Sequence, residues 1–171
     1  MVGDEKQNPV ATNQEGEILV RGSNVMQGYL DRPEETAKTI TANGWLRTGD
    51  LGRMDEDGFI FVTGRIKELI IKGGENIAPR EIDEALLEHE AVLEAAAFPR
   101  TCKDYGQRVE ACVCLKKGHH VSENELREFC EGLIGAYKTP DNIYFLHDLP
   151  KGPSGKVQRM KLIDLTQSEN A

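Results

Sequence analysis

Residues 63–83 read TGRIKELIIKGGENIAPREID and carry most of the information about the fold. A Gly-Arg turn at Gly64 leads into a short apolar strand, Leu69–Ile71, which a Gly-Gly pair at 73–74 interrupts. Two glycines after a strand indicate a backbone with positive φ or a close approach to another group. Pro79 suits the first turn of a helix, because its missing N–H would be unpaired there. The stretch predicts a strand, a glycine-rich loop and a helix.

Two further stretches flank this one. Residues 44–52 read GWLRTGDLG, and residues 153–159 read PSGKVQR. With 63–83, in this order, they resemble the last signature motifs of the AMP-forming acyl-CoA synthetases. This adenylate-forming family includes firefly luciferase and the adenylation domains of peptide synthetases, and five ordered motifs are more specific than any single one. The remaining matches are GEILVRG at 16–22 with GYL at 28–30, and AYKTP at 136–140.

Composition and charge are those of a soluble globular chain. Of the 171 residues, 39% are hydrophobic and 29% are charged, as in an ordinary globular domain. The formal net charge of −8 argues against a nucleic-acid surface, because phosphate binding needs a basic face. No apolar run reaches the length of a transmembrane helix, and residues 1–6 do not resemble a signal peptide. We expect a cytoplasmic protein with no nucleic-acid partner and no transmembrane segment.

The four cysteines raise the question of a metal site or of disulfides. Cys112 and Cys114 lie two apart in a predicted strand, so both side chains face the same side. No second Cys or His pair stands at the spacing of a zinc finger, and free cysteine is among the most buried residue types. The pattern favours core thiols, and we predict no structural metal.

The patterns along the chain predict an α/β (α+β) fold in two parts. A small β-rich part comes first, in which Ile18 and Val20 are expected on the buried face of a strand and Gly49-Asp50 in a tight turn. The second part alternates strands with amphipathic helices, one of them starting at a capping box at Ser122–Glu125. This predicts a compact lobe with a small mixed sheet flanked by helices.

The resemblance assigns a domain to each part. Residues 1–64 correspond to the last β-rich subdomain of the large N-terminal adenylation domain, which is truncated here. Residues 65–67 correspond to the hinge, and residues 68–171 to the mobile C-terminal domain. The phosphate loop and the acyl pocket of the family are missing, so we expect the C-terminal portion of an enzyme, inactive alone. Whether the fragment is natural or engineered, and its oligomeric state, stay open.

The family reaction implies the substrates and cofactors. A carboxylate attacks the α-phosphorus of Mg-ATP to give acyl-AMP and pyrophosphate, and the thiol of coenzyme A then displaces AMP. The resemblance implies ATP or AMP, coenzyme A, and Mg²⁺ held mainly by the missing N-terminal part. It also implies a small-molecule carboxylic acid, for which a fatty acid is favoured, and leaves peripheral membrane contact of the full enzyme open.

Lys156 matches the adenylation lysine of the family. Each step develops negative charge on oxygen, so a fixed cation stabilises the transition state, and a flexible lysine can reach both a carboxylate and a phosphate. A Walker phosphate loop is excluded, because Gly152 is too close to Gly155-Lys156 and Val157 follows. Without the resemblance, Lys156 would be interpreted as a solvated loop lysine.

The resemblance also implies the nucleotide-binding residues and the hinge. Asp50 matches the carboxylate that binds the ribose hydroxyls, although Asp is also common in turns. Arg65 matches a second ribose or phosphate contact, although a surface salt bridge is the plainer interpretation. Lys67 falls where the family pivots, at a position that holds Asp or Lys; an exposed strand lysine is the alternative.

The glycine pair belongs to the second step in the resemblance. After adenylation the mobile domain rotates, withdraws the lysine, and brings Gly73 and Gly74 to the nucleotide, where they help to shape the pantetheine tunnel. Backbone without side chains leaves room for the narrow thiol arm. Glu75 flanks this loop and is expected to contribute to the tunnel.

Three alternatives to a CoA ligase remain at this point. An adenylation domain could load a carrier protein instead of coenzyme A, although such domains usually continue into the carrier. A fatty acyl-AMP ligase lacks the coenzyme A step, but no inserted segment is visible here. A non-catalytic binding or regulatory module of the same fold would have no need of Asp50, Arg65 and Lys156 together.

Overall fold

A computed structural model of the protein describes residues 1–167 and shows two compact units. The first unit is Met1–Lys67, and the second begins at Glu68. The sequence predicts a polar tail after Leu165; residues 168–171 of it lie outside the described residues. A boundary between units does not establish motion, so the hinge at residues 65–67 stays a prediction.

The first unit is built on an antiparallel sheet. Its described strands, in sheet order, are β1 (Val2–Gly3), β2 (Gly16–Val20), β3 (Leu46–Met54) and β4 (Ile60–Arg65). The helix α1 (Pro33–Thr39) lies between β2 and β3 in the chain. It begins at a proline and carries two acids in its first turn, both favourable at the positive end of the helix dipole.

The expected alternation of Ile18 and Val20 on one buried face is wrong. Leu19 is buried beside Ile18, whereas Val20 is partly exposed. The pairing register of β2 with β3 shifts between Glu17 and Leu19. Such an irregularity breaks the strict alternation of buried and exposed side chains. It depends on the pairing with β3, which is distant in sequence.

The tight turn expected at Gly49-Asp50 is wrong as well. Both residues lie inside β3, which continues through them. Arg47 of β3 pairs with Leu19 of β2, and Leu51 pairs with Glu17. The segment of β3 between these two pairs is therefore longer than the segment of β2 opposite it, and β3 contains a bulge around Gly49. Gly49 has a φ of 72°, which side chains with a Cβ rarely adopt. The turn-forming residues therefore build a bulge within a strand.

Gly64 and Arg65 do not form the expected turn. They are the last two residues of β4 and pair with Leu51 and Asp50 of β3. The chain leaves the sheet one step later, in a 3-10 helix, Ile66–Glu68. Pairing with β3 keeps the Gly-Arg pair extended, and the local sequence does not reveal that partner.

The second unit is a mixed sheet with flanking helices. Its strand β8 pairs antiparallel with β7 and β5 and parallel with β9, while β6 pairs with β5. This confirms the predicted fold class. The elements are β5 (Ile70–Lys72), β6 (Glu75–Ile77), α2 (Pro79–Leu87), β7 (Val92–Cys102), β8 (Gly106–Leu115), α3 (Glu123–Ile134), β9 (Asn142–Phe145) and α4 (Arg159–Gln167).

Side chains of the central strands alternate between two hydrophobic clusters. Ala95 and Ala97 of β7 face the cluster that contains α2 and α3, whereas Ala96 and Phe98 face the cluster that contains Leu162 of α4. The strand period of two explains this division. Burial of Leu162 fixes α4 on the sheet, and with it the end of the loop that precedes α4.

The Gly73-Gly74 pair forms a two-residue hairpin turn, since Lys72 of β5 pairs with Glu75 of β6. The φ angles of 56° and 88° are those of a type I′ turn, which favours glycine at both positions. The strand β6 lies where the sequence predicted a loop. A loop was predicted because Glu75 and Asn76 have low strand propensity.

Helix starts follow the signals in the sequence. The helix α2 begins at Pro79, as predicted. At the start of α3, the Ser122 hydroxyl accepts the Glu125 N–H, and the Glu125 carboxylate accepts the Ser122 N–H, which is the predicted capping box. In the part of the chain that the structure describes, no helix is both long and apolar enough to cross a bilayer.

Three of the four cysteines lie in the core. Cys112 and Cys114 belong to the cluster of α4, and Cys130 to the cluster of α3, while Cys102 is partly exposed. Burial raises the pKa of the Cys130 thiol to about 11, so very little of it is thiolate at neutral pH. The thiolate is the reactive form.

We therefore expect a maleimide to label the native chain at Cys102 at least about tenfold faster than at the three core thiols. Peptide mass mapping after short exposures measures the order of labelling. The denatured chain, in which every thiol reacts, is the control. Rapid labelling of Cys112 in the native chain would contradict the core assignment.

Candidate functional site

Asp50 and Arg65 face each other across β3 and β4 as register partners. The Arg65 Nε lies 2.9 Å from the Asp50 Oδ1. About a third of the Asp50 side chain and about half of the Arg65 side chain remain exposed. The structure thus brings two predicted nucleotide-binding residues together, with oxygens and N–H groups still open to solvent.

Glu17 holds the backbone next to Asp50 in place, a role that the sequence did not indicate. Only 8% of this residue is exposed, and its carboxylate accepts from Arg47 Nε at 2.9 Å and from Gly49 N at 3.0 Å. The Thr48 hydroxyl accepts from Asp50 N at 3.1 Å. These bonds fix the bulge that carries Asp50. One signal for this role was available in the sequence, namely an acidic residue inside a predicted strand. A carboxylate that is buried there needs hydrogen-bond or ionic partners.

Lys156 stands at the end of a tight loop. Gly152 N donates to Lys156 O at 2.8 Å, and Gly155 N donates to Gly152 O at 2.9 Å. A bridge between Lys151 and Val157 closes the base of the loop. The backbone at Lys156 is therefore held in place by hydrogen bonds.

The Lys156 side chain itself is exposed. Within residues 1–167, its ammonium has neither an ion pair nor a hydrogen bond. Lys151 differs, since its ammonium contacts Glu94 at 2.7 Å and Asp148 at 3.2 Å. Lys156 is consequently a cation on a fixed backbone whose charge is available to a ligand.

The Gly73-Gly74 turn borders a groove. Gly73 N donates to Tyr105 O at 2.9 Å, and a Cβ on Gly73 would lie 3.1 Å from the Tyr137 hydroxyl. Gly74 has open space around the Cβ position, and Glu75 is exposed. The turn therefore presents backbone to solvent beside two tyrosines.

The groove is open and has a volume of about 680 Å³. Lys72 lies in its wall with only 7% exposed, and its ammonium donates to Tyr137 O at 3.0 Å. The Tyr137 hydroxyl in turn donates to Lys72 O, so these two residues hold each other. The lining is Lys72, Cys102, Tyr105, Arg108, Ala136, Tyr137, Asp141 and Asn142.

Lys67 is the last residue of the first unit and lies in the 3-10 helix Ile66–Glu68. This helix replaces the strand that the alternative interpretation assumed. The side chain is exposed, and no partner for it exists among the described residues. Backbone angles at such a position can change without breaking side-chain contacts, so the hinge role stays a prediction.

The predicted site residues are thus divided between the units. Asp50 and Arg65 form a pair in the first unit, and Lys67 ends that unit. The Gly73–Glu75 turn and Lys156 lie on separate loops of the second unit. As far as the structure is described, no group of three or more His, Cys, Asp or Glu residues is placed to hold a metal ion.

Comparison with known families gives a match within the second unit. Residues 81–156 match the model of the AMP-binding enzyme C-terminal domain. The match begins in α2 and ends at Lys156, so it includes the loop described above.

Two curated relatives differ in the acid that their names give. The sulfoacetate–CoA ligase of Cupriavidus necator is 52% identical over 156 residues, which are 91% of this chain and 31% of the relative. The long-chain-fatty-acid–CoA ligase of Bacillus subtilis is 44% identical over 162 residues, 94% of this chain and 28% of the relative. The chain therefore spans about a third of the length of these relatives.

A solved structure has the same fold. The crystal structure of ATP-bound MatB from Rhodopseudomonas palustris matches with a TM-score of 0.92 and 33% sequence identity, over 99% of this chain and 34% of that chain.

Proposed function

The chain belongs to the AMP-binding enzymes, whose C-terminal domain it contains at residues 81–156, and from this premise we propose that it is the C-terminal part of an acid–thiol ligase. The observation that carries the proposal is the exposed Lys156 ammonium, unpaired within residues 1–167, on a loop with a fixed backbone. Lys151, five residues earlier in the chain, is by contrast held by Glu94 and Asp148. The relatives named as CoA ligases support the same reaction class.

In the first step, a carboxylate oxygen of the acid bonds to the α-phosphorus of ATP, and the bond to the pyrophosphate oxygen breaks. Lys156 offsets the negative charge that develops on the oxygens around phosphorus. Asp50 accepts hydrogen bonds from the ribose hydroxyls, and Arg65 keeps its carboxylate oriented. Mg²⁺ would neutralise the triphosphate; the described residues offer no cluster for it, and the resemblance assigns its ligands to the large N-terminal domain of the family.

In the second step, the thiol sulfur of coenzyme A bonds to the acyl carbon and its proton is released to solvent, while AMP leaves with the electron pair of the broken C–O bond. The Gly73-Gly74 turn with Glu75 forms one wall of the path for the pantetheine arm. Its exposed backbone beside Tyr105 and Tyr137 supports this role, because a narrow chain needs a wall without side chains.

A substitution at Gly74 separates the two steps. In Gly74→Val, we expect thioester formation from supplied acyl-AMP to fall at least about tenfold, with adenylation changed less than about twofold. Gly118→Val is the matched control, because Gly118 also has a positive φ and open space around its Cβ position. A larger loss in adenylation than in thioester formation would count against the tunnel.

The carboxylic acid differs among the relatives. A fatty acid stays the prediction from sequence, while one relative is named for sulfoacetate and another for a long-chain fatty acid. We propose a carboxylic acid recognised by residues outside this chain, with coenzyme A as the acceptor in preference to a carrier protein.

The test is product analysis on the longest protein that contains this chain. It is incubated with ATP, Mg²⁺, a panel of carboxylic acids and coenzyme A, and acyl-CoA and AMP are measured by mass spectrometry. We expect one class of acid to yield both products in equal amounts. Acyl transfer to a phosphopantetheinylated carrier protein, but not to coenzyme A, would reassign the acceptor. Neither product from a folded protein would favour the non-catalytic module.

A further inference from the structure

Arg159 is the first residue of α4 and lies three residues after Lys156. Its guanidinium is largely buried, with 17% of the side chain exposed. It contacts both carboxylate oxygens of Asp83 on α2 and donates to Ala97 O on β7 at 2.9 Å. Its Nε donates to Glu68 Oε2 at 3.1 Å. This one side chain of α4 thus contacts α2, β7 and Glu68.

These contacts fall into two kinds. Asp83 is buried, and it also accepts the Ala97 N–H at 2.6 Å, so the Asp83–Arg159 pair belongs to the packing of α2 and α4 on the sheet. Burial raises the pKa of Asp83, although Arg159 opposes that shift. Breaking such a buried pair destabilises a fold. The core contacts alone already anchor α4.

Glu68 is different, because 42% of its side chain is exposed. Water could solvate this carboxylate, so packing does not require the contact with Arg159. Glu68 closes the 3-10 helix Ile66–Glu68 and follows Lys67 directly. The pair therefore connects residues that are 91 positions apart in the chain: the one beside the predicted pivot and the one that begins α4.

We propose that the Glu68–Arg159 ion pair is a positioning contact that ties the Lys156 loop to the 3-10 helix at the pivot. It rests on the proposed function. When the second unit turns at Lys67, a loop tied to Glu68, the first residue after that pivot, moves together with Glu68, and Lys156 reaches the same place at each turnover. Without the tie, the loop stays on the sheet but Glu68 fluctuates relative to it, and Lys156 is correctly placed relative to the predicted pivot for a smaller fraction of the time.

The two half-reactions distinguish this role from a structural one. In the proposed function Lys156 acts in adenylation and the Gly73-Gly74 turn in thioester formation. Within residues 1–167, Arg159 makes no hydrogen bond or ion pair with that turn. Loss of the tie should therefore slow adenylation selectively. A loss of folding would slow both half-reactions together and lower the melting temperature.

The test is Glu68→Gln in the longest protein that contains this chain, which removes the charge and keeps the shape. We expect kcat for adenylation to fall about tenfold, with KM for ATP within about twofold. Thioester formation from supplied acyl-AMP and the melting temperature should stay unchanged. Glu68→Asp, which keeps the carboxylate, should restore part of the rate.

Glu81→Gln is the matched control. Its side chain is 40% exposed and pairs with Lys138 at 2.6 Å, so it removes an ion pair of the same kind that touches neither the pivot nor α4. An adenylation rate of Glu68→Gln equal to that of Glu81→Gln, or equal losses in both half-reactions, would overturn the proposal. Inactivity of the unsubstituted protein would instead overturn the proposed function.

Discussion

Lys156→Ala should reduce acyl-AMP formation by about 10² to 10³, the usual loss when a group that stabilises transition-state charge is removed. Thioester formation from supplied acyl-AMP should stay within about twofold, because the proposed function gives Lys156 a role in adenylation alone. The two rates are measured separately in the longest protein that contains the chain, by ATP–pyrophosphate exchange and by release of AMP from acyl-AMP with coenzyme A.

Stability should not change in this variant. The Lys156 side chain is exposed and makes no ion pair or side-chain hydrogen bond within residues 1–167, and such surface substitutions usually stay within about 0.5 kcal/mol. Lys161→Ala, an exposed lysine on the neighbouring helix α4, is the control and should keep both rates. Equal losses in the two half-reactions would remove Lys156 from the role given to it.

Glu110→Ala should destabilise the second unit by about 3–5 kcal/mol. The Glu110 carboxylate is fully buried and accepts from Arg100 at 2.7 Å, from Arg108 at 2.6 Å and from Asn142 at 3.1 Å. Removing it leaves the largely buried guanidinium of Arg100 without its charge partner. A loss of this size is a large part of the stability of an ordinary domain.

The pH dependence of this contribution has a definite sign. Burial raises the pKa of Glu110, but hydrogen bonds from Arg100, Asn142 and Arg108 outweigh it, so the folded pKa is lowered. The stabilisation is therefore fully present above the ordinary carboxyl pKa and is lost as pH falls through the lowered folded value. Urea unfolding at pH 7 and in acid measures it, with exposed Glu128→Ala as the control. A cost of Glu110→Ala that is the same at both pH values would contradict this assignment.

Local signals predicted much of the fold. Proline at the start of α2, the capping box at Ser122 and the apolar strand before Gly73 each specify structure within a few residues, and the structure confirms them. Apolar patterns at 92–98 and 108–115 indicate two buried strands, which lie within β7 and β8, although the patterns do not indicate that these strands pair. These features depend on neighbours in sequence, which a sequence displays directly.

Features set by distant partners could not be predicted in the same way. The bulge at Gly49 depends on the register of β3 against β2, and the extended Gly64 depends on pairing with β3. Glu17 became a supporting residue only when folding placed the backbone of Gly49 above it. The motifs thus indicated Asp50 as a candidate, but not what holds it in place.

The contacts of Arg159, which follows the Lys156 loop, could not be predicted from the sequence either. The sequence places it three residues after Lys156, in a motif that points to chemistry. Its partners Glu68 and Asp83 lie 91 and 76 positions away, and nothing local pairs them. The structure therefore adds a contact between Arg159 and Glu68, the residue after the predicted hinge residue Lys67, which the sequence did not indicate.

Acid-dependent ATP–pyrophosphate exchange by the longest protein that contains this chain is the direct test of adenylation with Lys156 as the catalytic cation. We expect exchange with one class of carboxylic acid, no exchange without acid, and a loss of about 10² or more in Lys156→Ala. A folded protein that exchanges with no acid, or one that exchanges equally well without Lys156, would contradict it.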